Sequence, residues 1–240
     1  MQHVFRVVDL ETTGVDPERD GICEFASVDV LVDTTTGATE VIGYCQQITD
    51  PGQPIPASAS AIHHLTDDDV AGAPSPLDWL ERAAEHPGPL VAHNADFEQA
   101  FFERHGINNV SWLCTQRLAK HLLPGLESYA NQYLRYRLGL SAPGAKGMPA
   151  HRALADCHVT AALLGNLLSR DHGCPSLGAL IEYATQPVTL ERMMFGKYRG
   201  RRWDEVPTDY LRWMQRQESG WDQDTEYTLE LELQNRCVTV

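Results

Sequence analysis

The segment that most restricts the fold is VFRVVDLETTG, residues 4–14, an apolar run that carries the carboxylates of Asp9 and Glu11. Side chains alternate along a strand, so both acids point to the same face. Phe5 and Val7 share that face, and Val4, Val8 and Leu10 fill the other. Because both faces are apolar, the run predicts a central strand with the acids at its C-terminal end, where ligand sites open in α/β sheets.

Two ionised carboxylates about 7 Å apart at that end repel each other and are costly to desolvate unless a cation lies between them. The spacing of Asp9 and Glu11 therefore favours a metal site. The alternative is a strand that ends at Val8, with both acids as solvated loop residues and Asp9 capping a turn at residues 12–14.

Strand and helix patterns predict an α/β fold. Three strand-like segments between Val4 and Ile48, joined by short connections, favour an antiparallel meander. The strand-like segments GPLVAHNA and VSWLCT then alternate with helical stretches, which favours parallel pairing in the rest of the sheet. Composition shifts after Gln186, so we expect a domain of residues 1–186 and a small C-terminal module of residues 187–240 that closes with an acidic tail.

Composition restricts the compartment and the partners. No apolar run approaches the roughly 18–20 residues of a membrane helix, and the start lacks the pattern of a secretory signal. The six cysteines are scattered singly, which favours free thiols in a reducing cytoplasm over disulfides or a cysteine zinc site. We expect a soluble, cytoplasmic protein that binds no membrane. A net charge of −14 argues against holding nucleic acid by bulk electrostatics alone.

Further chemically suggestive residues follow later in the chain. Asp96 lies at a predicted strand-to-helix junction, and Asp156 lies on a predicted helix beside Leu163 and Leu167, where a carboxylate needs a partner. His151 precedes Asp156 by five residues, behind a Gly/Pro loop from which it could reach a substrate. Alternatively, Asn94 or Asp96 caps the following helix, and His151 is an ordinary surface histidine.

Three motifs together resemble the DEDD superfamily of 3′-5′ exonucleases, in its histidine-containing subgroup. They are DLE at residues 9–11, HNADF at 93–97 and HRALAD at 151–156. The segment AIHHLT at 61–66 is similar to the substrate-contacting segment of that family. The resemblance covers residues 4 to about 169. Farther on, FGKYRG at 195–200 and DYLRW at 209–213 are similar to the C-terminal segment of a bacterial member.

The resemblance implies a ribonuclease H-like, mixed five-stranded sheet with flanking helices, its first three strands antiparallel and the remainder parallel. It also implies two Mg²⁺ or Mn²⁺ ions held by Asp9, Glu11, Asp96 and Asp156, with His151 as general base. Oxygen-only ligands favour these metals over zinc. The implied substrate is DNA with a free 3′ end, single-stranded or duplex, cut to nucleoside 5′-monophosphates in DNA repair. A homodimer is possible.

Candidate substrate contacts lie near the motifs and in the module. The first group comprises Leu10, Thr12, His63 and Asn94. The second comprises Lys197 and Arg199, in a basic cluster that includes Arg201 and Arg202 and is interleaved with Tyr198 and Trp203. This cluster is typical of a nucleic-acid backbone contact, and equally of a solvated basic turn. The loop of residues 15–21 starts beside the acids and is a candidate for selecting the DNA end.

Three other functions stay open from the sequence. The same residues suit a ribonuclease or oligoribonuclease of the superfamily, because the catalytic set does not distinguish DNA from RNA. A non-catalytic subunit that docks on a polymerase or repair complex is a second alternative, which the intact acids and His151 oppose. A metal oxidoreductase that uses His63, His93 and Asp96 is the third.

Overall fold

The computed structural model describes residues 2–171, 173–217 and 220–238. Its sheet has the strand order β3-β2-β1-β4-β5. The strands are β1 (Gln2–Thr12), β2 (Ile22–Asp33), β3 (Thr39–Ile48), β4 (Leu90–Ala92) and β5 (Trp112–Cys114). β2 pairs antiparallel with β1 and β3, while β4 runs parallel to β1 and β5. This confirms the predicted mixed sheet, with β1 at its centre.

Helices lie between the strands and after them in the chain. They are α1 (Ala57–His63), α2 (Asp67–Val70), α3 (Leu77–Ala84), α4 (Asp96–Arg104), α5 (Thr115–Leu122), α6 (Asn131–Arg137), α7 (Ala153–Leu168), α8 (Leu177–Thr185), α9 (Thr208–Gln215) and α10 (Gln223–Val238). Two 3₁₀ turns span Pro143–Ala145 and Trp203–Glu205.

The two faces of β1 are buried against different helices. Val8 and Leu10 belong to a cluster that includes Phe101 and Phe102 of α4. On the opposite face α7 crosses β1 and β2, and the Cys157 thiol lies 3.8 Å from the Val7 carbonyl oxygen. Val4, expected to fill the first face, is instead 44% exposed, because it lies near the start of the strand and outside that cluster. The strand is thus rigidly held where its acids begin.

The chain divides into two compact units. The first comprises residues 1–122 and 128–184, and the second comprises residues 123–127 and 185–240. The domain boundary after residue 186 stays a prediction, and the sequence had no signal for including residues 123–127 with the C-terminal part. The second unit has its own core, formed by Met193, Trp203, Val206, Leu211, Met214, Leu229 and Leu233.

The acidic tail is a helix, α10, rather than an irregular segment. Leu229 and Leu233 are one turn apart and enter the core of the second unit. Asp224 is buried, and its Oδ1 accepts the backbone N–H of Val188 at 2.9 Å. This acid therefore stabilises the unit and does not contribute to its exposed charge.

Within residues 2–171, 173–217 and 220–238, no helix combines the length and the apolar character needed to cross a membrane.

Candidate active site

Three carboxylates come together at the C-terminal end of β1. Asp9, Glu11 and Asp156 each present an oxygen within 4.8 Å of those of the other two. Asp9 and Glu11 lie on one face of β1 because they are two residues apart in a strand, and Asp156 reaches them from the first turn of α7. The predicted juxtaposition of the first and third motifs is therefore present.

Hydrogen bonds hold the buried carboxylate of Asp156 in place. Its Oδ1 accepts Gln132 Nε2 of α6 at 2.6 Å, and its Oδ2 accepts the backbone N–H of His151 at 2.9 Å. The expected need for partners is met, and Gln132 is a positioning residue that the sequence did not indicate. Both bonds orient the carboxylate without neutralising it.

The cluster is electrostatically unfavourable by itself. Burial raises the pKa of Asp9 well above its ordinary value, and the carboxylates of Glu11, Glu98 and Asp156 raise it further. Burial raises the pKa of Glu11 to about 8, and the carboxylates of Asp156 and Glu24 add to this shift. The Arg152 guanidinium opposes it. Each acid thus disfavours ionisation of its neighbours, as expected of ligands that await a cation.

A fourth carboxylate, Glu98 of α4, joins this cluster electrostatically. Its side chain is 3% exposed, and its buried Oε2 has no hydrogen-bond partner. Burial raises the pKa of Glu98 to about 8, with further contributions from Glu11 and Asp96. A buried carboxylate oxygen without a hydrogen-bond donor is rare and costly, and its chemistry fits a metal ligand.

The role of Asp96, the predicted fourth ligand, stays a prediction. Asp96 is the first residue of α4, its side chain is exposed, and it is not in the group of three close carboxylates. Glu98 lies three and four residues before the buried Phe101 and Phe102, so it shares their helix face. That i, i+3, i+4 pattern is the signal by which the sequence could have indicated Glu98 in place of Asp96.

His151 lies on the loop before α7, with its side chain exposed and its backbone at φ +59°. The next residue, Arg152, anchors this loop to β2 through Glu24. Arg152 Nε and Nη2 donate to the two carboxylate oxygens of Glu24 at 3.0 and 2.7 Å, and the Ala153 N–H donates to Oε2 at 3.1 Å. The anchored loop carries both the His151 side chain and the amide that binds Asp156.

His63, a predicted substrate contact, lies in the first unit with its ring buried. Its Nδ1 accepts the Leu65 N–H at 3.0 Å, so the neutral ring carries its proton on Nε2. That Nε2 has no partner, although the ring is 1% exposed. Burial lowers the pKa of His63, while the Thr12 backbone opposes this shift. The ring is therefore buried beside the Thr12 backbone at the end of β1.

The other predicted contacts in the first unit differ in what they expose. Thr12 is buried, with its hydroxyl donating to the Gly14 carbonyl at 2.6 Å. Leu10 is in the apolar core, on the face opposite the acids, so only its backbone remains for a substrate. Asn94 is exposed and adopts φ +78°, an uncommon conformation for a residue other than glycine.

His93 is committed to structural hydrogen bonds. Its ring nitrogens lie 2.9 Å from Thr115 Oγ1 and 2.7 Å from the Tyr129 carbonyl oxygen. Because a carbonyl only accepts, Nε2 carries the proton and Nδ1 accepts the threonine hydroxyl. The oxidoreductase alternative, which needs His63, His93 and Asp96 together, is wrong for the described residues, whose candidate metal group contains none of them.

Lys197 and Arg199 belong to the second unit, and both side chains are exposed. Their role as substrate contacts stays a prediction.

A family model described as exonuclease matches residues 7–164, which span β1 through most of α7. The chain belongs to the exonuclease family. As an exonuclease it is a nuclease, a hydrolase of phosphodiester bonds. A separate model, described as a putative quorum-sensing-regulated virulence factor, matches residues 183–225.

Relatives of this exonuclease cover much of its length. Exodeoxyribonuclease 10 of Escherichia coli (strain K12) is 33% identical over 218 residues, 88% of this chain and 90% of that protein. A DNA polymerase III subunit epsilon-like protein of Rhodobacter capsulatus is 32% identical over 202 residues, 79% of this chain but 27% of that protein.

Solved structures agree with the fold. Exonuclease X in complex with 5′ overhanging duplex DNA matches with a TM-score of 0.64 and 32% identity, over 75% of this chain and 99% of that chain. Escherichia coli exonuclease I in complex with a dT13 oligonucleotide matches with a TM-score of 0.55, over 70% of this chain and 41% of that chain. At 19% identity, the second match supports the fold alone.

Proposed function

We propose that this exonuclease is a divalent-metal-dependent 3′-5′ exodeoxyribonuclease that releases nucleoside 5′-monophosphates from DNA and acts in DNA repair. The observation that carries the proposal is the group formed by Asp9, Glu11 and Asp156 within 4.8 Å, together with the buried, partnerless oxygen of Glu98, whose carboxylate raises the pKa of Asp9. The similarity to exodeoxyribonuclease 10 and to a DNA-bound exonuclease X supports DNA as the substrate.

The donor set fits two hard divalent cations. It consists of carboxylate oxygens, the ligands that Mg²⁺ and Mn²⁺ prefer, and the raised pKa values of Asp9, Glu11 and Glu98 indicate a missing positive charge. Asp9, Glu11, Asp156 and Glu98 would hold the ions, with Glu98 in the place first assigned to Asp96. When bound, such ions activate a water and stabilise the leaving oxygen in phosphodiester hydrolysis.

His151 is the proposed general base. Its side chain is exposed, its backbone amide contacts Asp156, and its loop is anchored through Arg152 and Glu24, so a ring on this loop could accept the proton of a water. The contact with Asp156 uses the backbone amide, so replacing the side chain preserves it.

A first prediction concerns His151→Ala. We expect kcat to fall by about 10²–10⁴-fold, the typical contribution of general-base catalysis. Titration calorimetry with Mn²⁺ should show unchanged metal affinity, because no ligand is removed. A metal affinity that falls as steeply as the rate would count against a base role.

Substrate positioning is proposed for residues around the end of β1. Leu10 and Thr12 lie in β1, Asn94 follows β4, and His63 ends α1 beside the Thr12 backbone. The following loop is closed by Asp20, whose Oδ2 accepts the Asp16 N–H at 2.9 Å. Val15 is 83% exposed at its start, and selection of the DNA end by this loop remains part of the proposal.

End-labelled substrates test the proposed function. With Mg²⁺, 3′-labelled DNA should lose its label as a mononucleotide at once, whereas 5′-labelled DNA should shorten stepwise. Asp156→Asn should abolish both patterns while retaining the circular dichroism of the wild type. Faster release from a matched RNA oligomer would favour the ribonuclease alternative, and DNA binding without hydrolysis would favour the docking subunit. A homodimer stays a prediction for analytical ultracentrifugation.

A further inference from the structure

The second unit carries a basic hairpin that is unusual in so acidic a chain. Residues 192–203 contain five of the chain's 19 lysines and arginines and none of its 33 acids. The hairpin is closed by a bridge between Arg192 and Arg202 and by a hydrogen bond from the Met193 N–H to the Arg201 carbonyl at 2.8 Å. Its base is anchored because Met193 and Trp203 are buried in the core of the unit.

Two of the five cations have structural partners. Arg202 forms ion pairs with Asp204 at 3.2 Å and Glu191 at 3.4 Å. Arg192 Nη1 donates to the Gly200 carbonyl within the hairpin at 2.9 Å. These two guanidinium groups stabilise the hairpin itself.

Lys197, Arg199 and Arg201 differ from that pair. All three side chains are exposed, and within the described residues none forms an ion pair with an acid. Lys197 Nζ and the Arg201 guanidinium lie 5.4 and 5.8 Å from the centroid of the Tyr198 ring. The hairpin therefore concentrates positive charge around an aromatic ring and leaves it available.

A row of rings continues from this charge. Tyr198 contacts Tyr210 of α9 at a centroid distance of 4.8 Å, and Tyr210 contacts Trp213 at 5.1 Å. Trp213, at the end of the row, is 44% exposed. Packing in the core of the unit does not account for an exposed indole beside an unneutralised basic turn.

We infer that the hairpin cations Lys197, Arg199 and Arg201, with the exposed ring of Trp213, form a second DNA-binding surface that holds a single strand outside the catalytic carboxylates. Cations that follow a phosphate backbone beside aromatic rings that stack on bases are the two components of sequence-independent strand binding. Charge complementarity is local, so it acts despite the net charge of −14. The inference rests on the proposed function for its choice of DNA as the polyanion.

Fluorescence anisotropy of a labelled oligothymidylate tests the surface on the full chain in EDTA, where hydrolysis cannot occur. The triple variant Lys197→Gln, Arg199→Gln and Arg201→Gln should weaken binding at least tenfold at low salt. The slope of log K against log salt should become shallower by about 2, since each phosphate contact on single strands contributes about 0.7. Trp213→Ala should weaken binding to the oligonucleotide and leave binding to inorganic polyphosphate unchanged.

Arg202→Gln is the matched control, because it removes the same charge from the same hairpin but from a guanidinium that is already paired with acids. It should change affinity less than twofold. Wild-type affinity in the triple variant, or an equal loss in Arg202→Gln, would overturn the inference. Lys197→Gln alone, with an expected slope change of about 0.7, decides the question if the triple variant fails to fold.

A second readout separates this inference from the proposed function. Metal-dependent hydrolysis of a nitrophenyl ester of thymidine 5′-monophosphate, which has no strand for the hairpin to hold, should be equal in the triple variant and the wild type. Ester hydrolysis with unchanged DNA binding in the triple variant refutes only the second surface. If the triple variant loses DNA binding but the wild type hydrolyses no ester, the second surface is supported and the proposed function is refuted.

Discussion

At the scale of single residues, Glu98 is the residue that most favours the proposed metal site over a chance group of acids. Its Oε2 is buried without a partner, and burial raises its pKa to about 8, with a backbone hydrogen bond opposing this shift and Glu11 and Asp96 adding to it. A structural carboxylate in a core would have hydrogen-bond donors, as Glu24 has. Glu98 lowers the stability of the metal-free fold, which is the cost typical of a residue retained for function.

The pair Glu98→Gln and Asp96→Asn tests this assignment. We expect Glu98→Gln to lower kcat at least about 100-fold, because it removes an anionic metal ligand. Its metal-free form should melt at a higher temperature than the wild type at pH 7, because glutamine, unlike a glutamate whose pKa is raised in the fold, need not take up a proton on folding. Asp96→Asn, a matched change two residues away on the exposed side of α4, should stay within threefold of the wild-type rate. The reverse ranking of the two rates would restore Asp96 as the ligand.

The sequence predicts most of this site because three of its residues follow simple periodicity. Asp9 and Glu11 end a run that is apolar on both faces, and Asp156 borders the apolar stripe of a long helix. Glu98, the proposed fourth ligand, is not predicted because Asp96 lies within the matched motif HNADF and Glu98 follows directly after it. The hydrogen bonds of Gln132 and His93 depend on tertiary proximity, for which neither residue has a local signal.

At the scale of elements, the Glu24–Arg152 pair joins β2 to the start of α7. Glu24 is fully buried and accepts donors from Arg152, the Ala153 N–H and Gln46 Nε2, so its lowered pKa reflects hydrogen bonds that outweigh its desolvation. This pair fixes the loop on which His151 lies. Removing one partner of a buried pair leaves the other without compensation.

Glu24→Gln should therefore lower the free energy of unfolding by roughly 3 kcal/mol, as measured by urea denaturation. It should also lower kcat more than it changes KM, because the loop that carries His151 loses its anchor. Asp29→Asn is the control, since Asp29 pairs with Arg6 at 2.7 Å with both side chains partly exposed. This control should lower the free energy of unfolding by about 1 kcal/mol or less and leave kcat unchanged. Equal rate losses in both variants would argue against a positioning role for Glu24.

His93 links β4 to α5 and to the segment before α6. Because its pKa is shifted in the fold, we expect it to make stability depend on pH. Burial lowers the pKa of His93 to about 4 from an ordinary 6.5, although the bond to Tyr129 opposes this shift. The neutral ring is favoured in the fold, so its stabilisation is present above pH 6.5 and is lost as the pH falls toward 4. The raised pKa values of Asp9, Glu11 and Glu98 act in the opposite direction in the metal-free protein.

Comparison with His93→Gln isolates the histidine, because the acids are common to both proteins. In EDTA, the stability advantage of the wild type over the variant should shrink by about 2 kcal/mol between pH 7 and pH 5. Urea denaturation at the two pH values measures it. An advantage that is constant with pH would show that His93 is not held neutral by the fold.

At the scale of the whole molecule, local patterns were sufficient for the order and type of most elements of the sheet. The three long strands carry strand-like runs, and β4 and β5 are short apolar segments followed by helices. The helix α10 was missed because its exposed acids dominate its composition and only Leu229 and Leu233 reveal a buried stripe. The assignment of residues 123–127 to the second unit depends on long-range packing, which local sequence does not encode.

We propose above all that four carboxylates form one site for divalent metal ions, those of Asp9, Glu11, Glu98 and Asp156. Anomalous diffraction from crystals soaked in Mn²⁺ tests it most directly, because it locates the metal independently of activity. We expect two manganese peaks in contact with these four carboxylates. Manganese at Asp96, His63 or His93, with none at the four carboxylates, would contradict it.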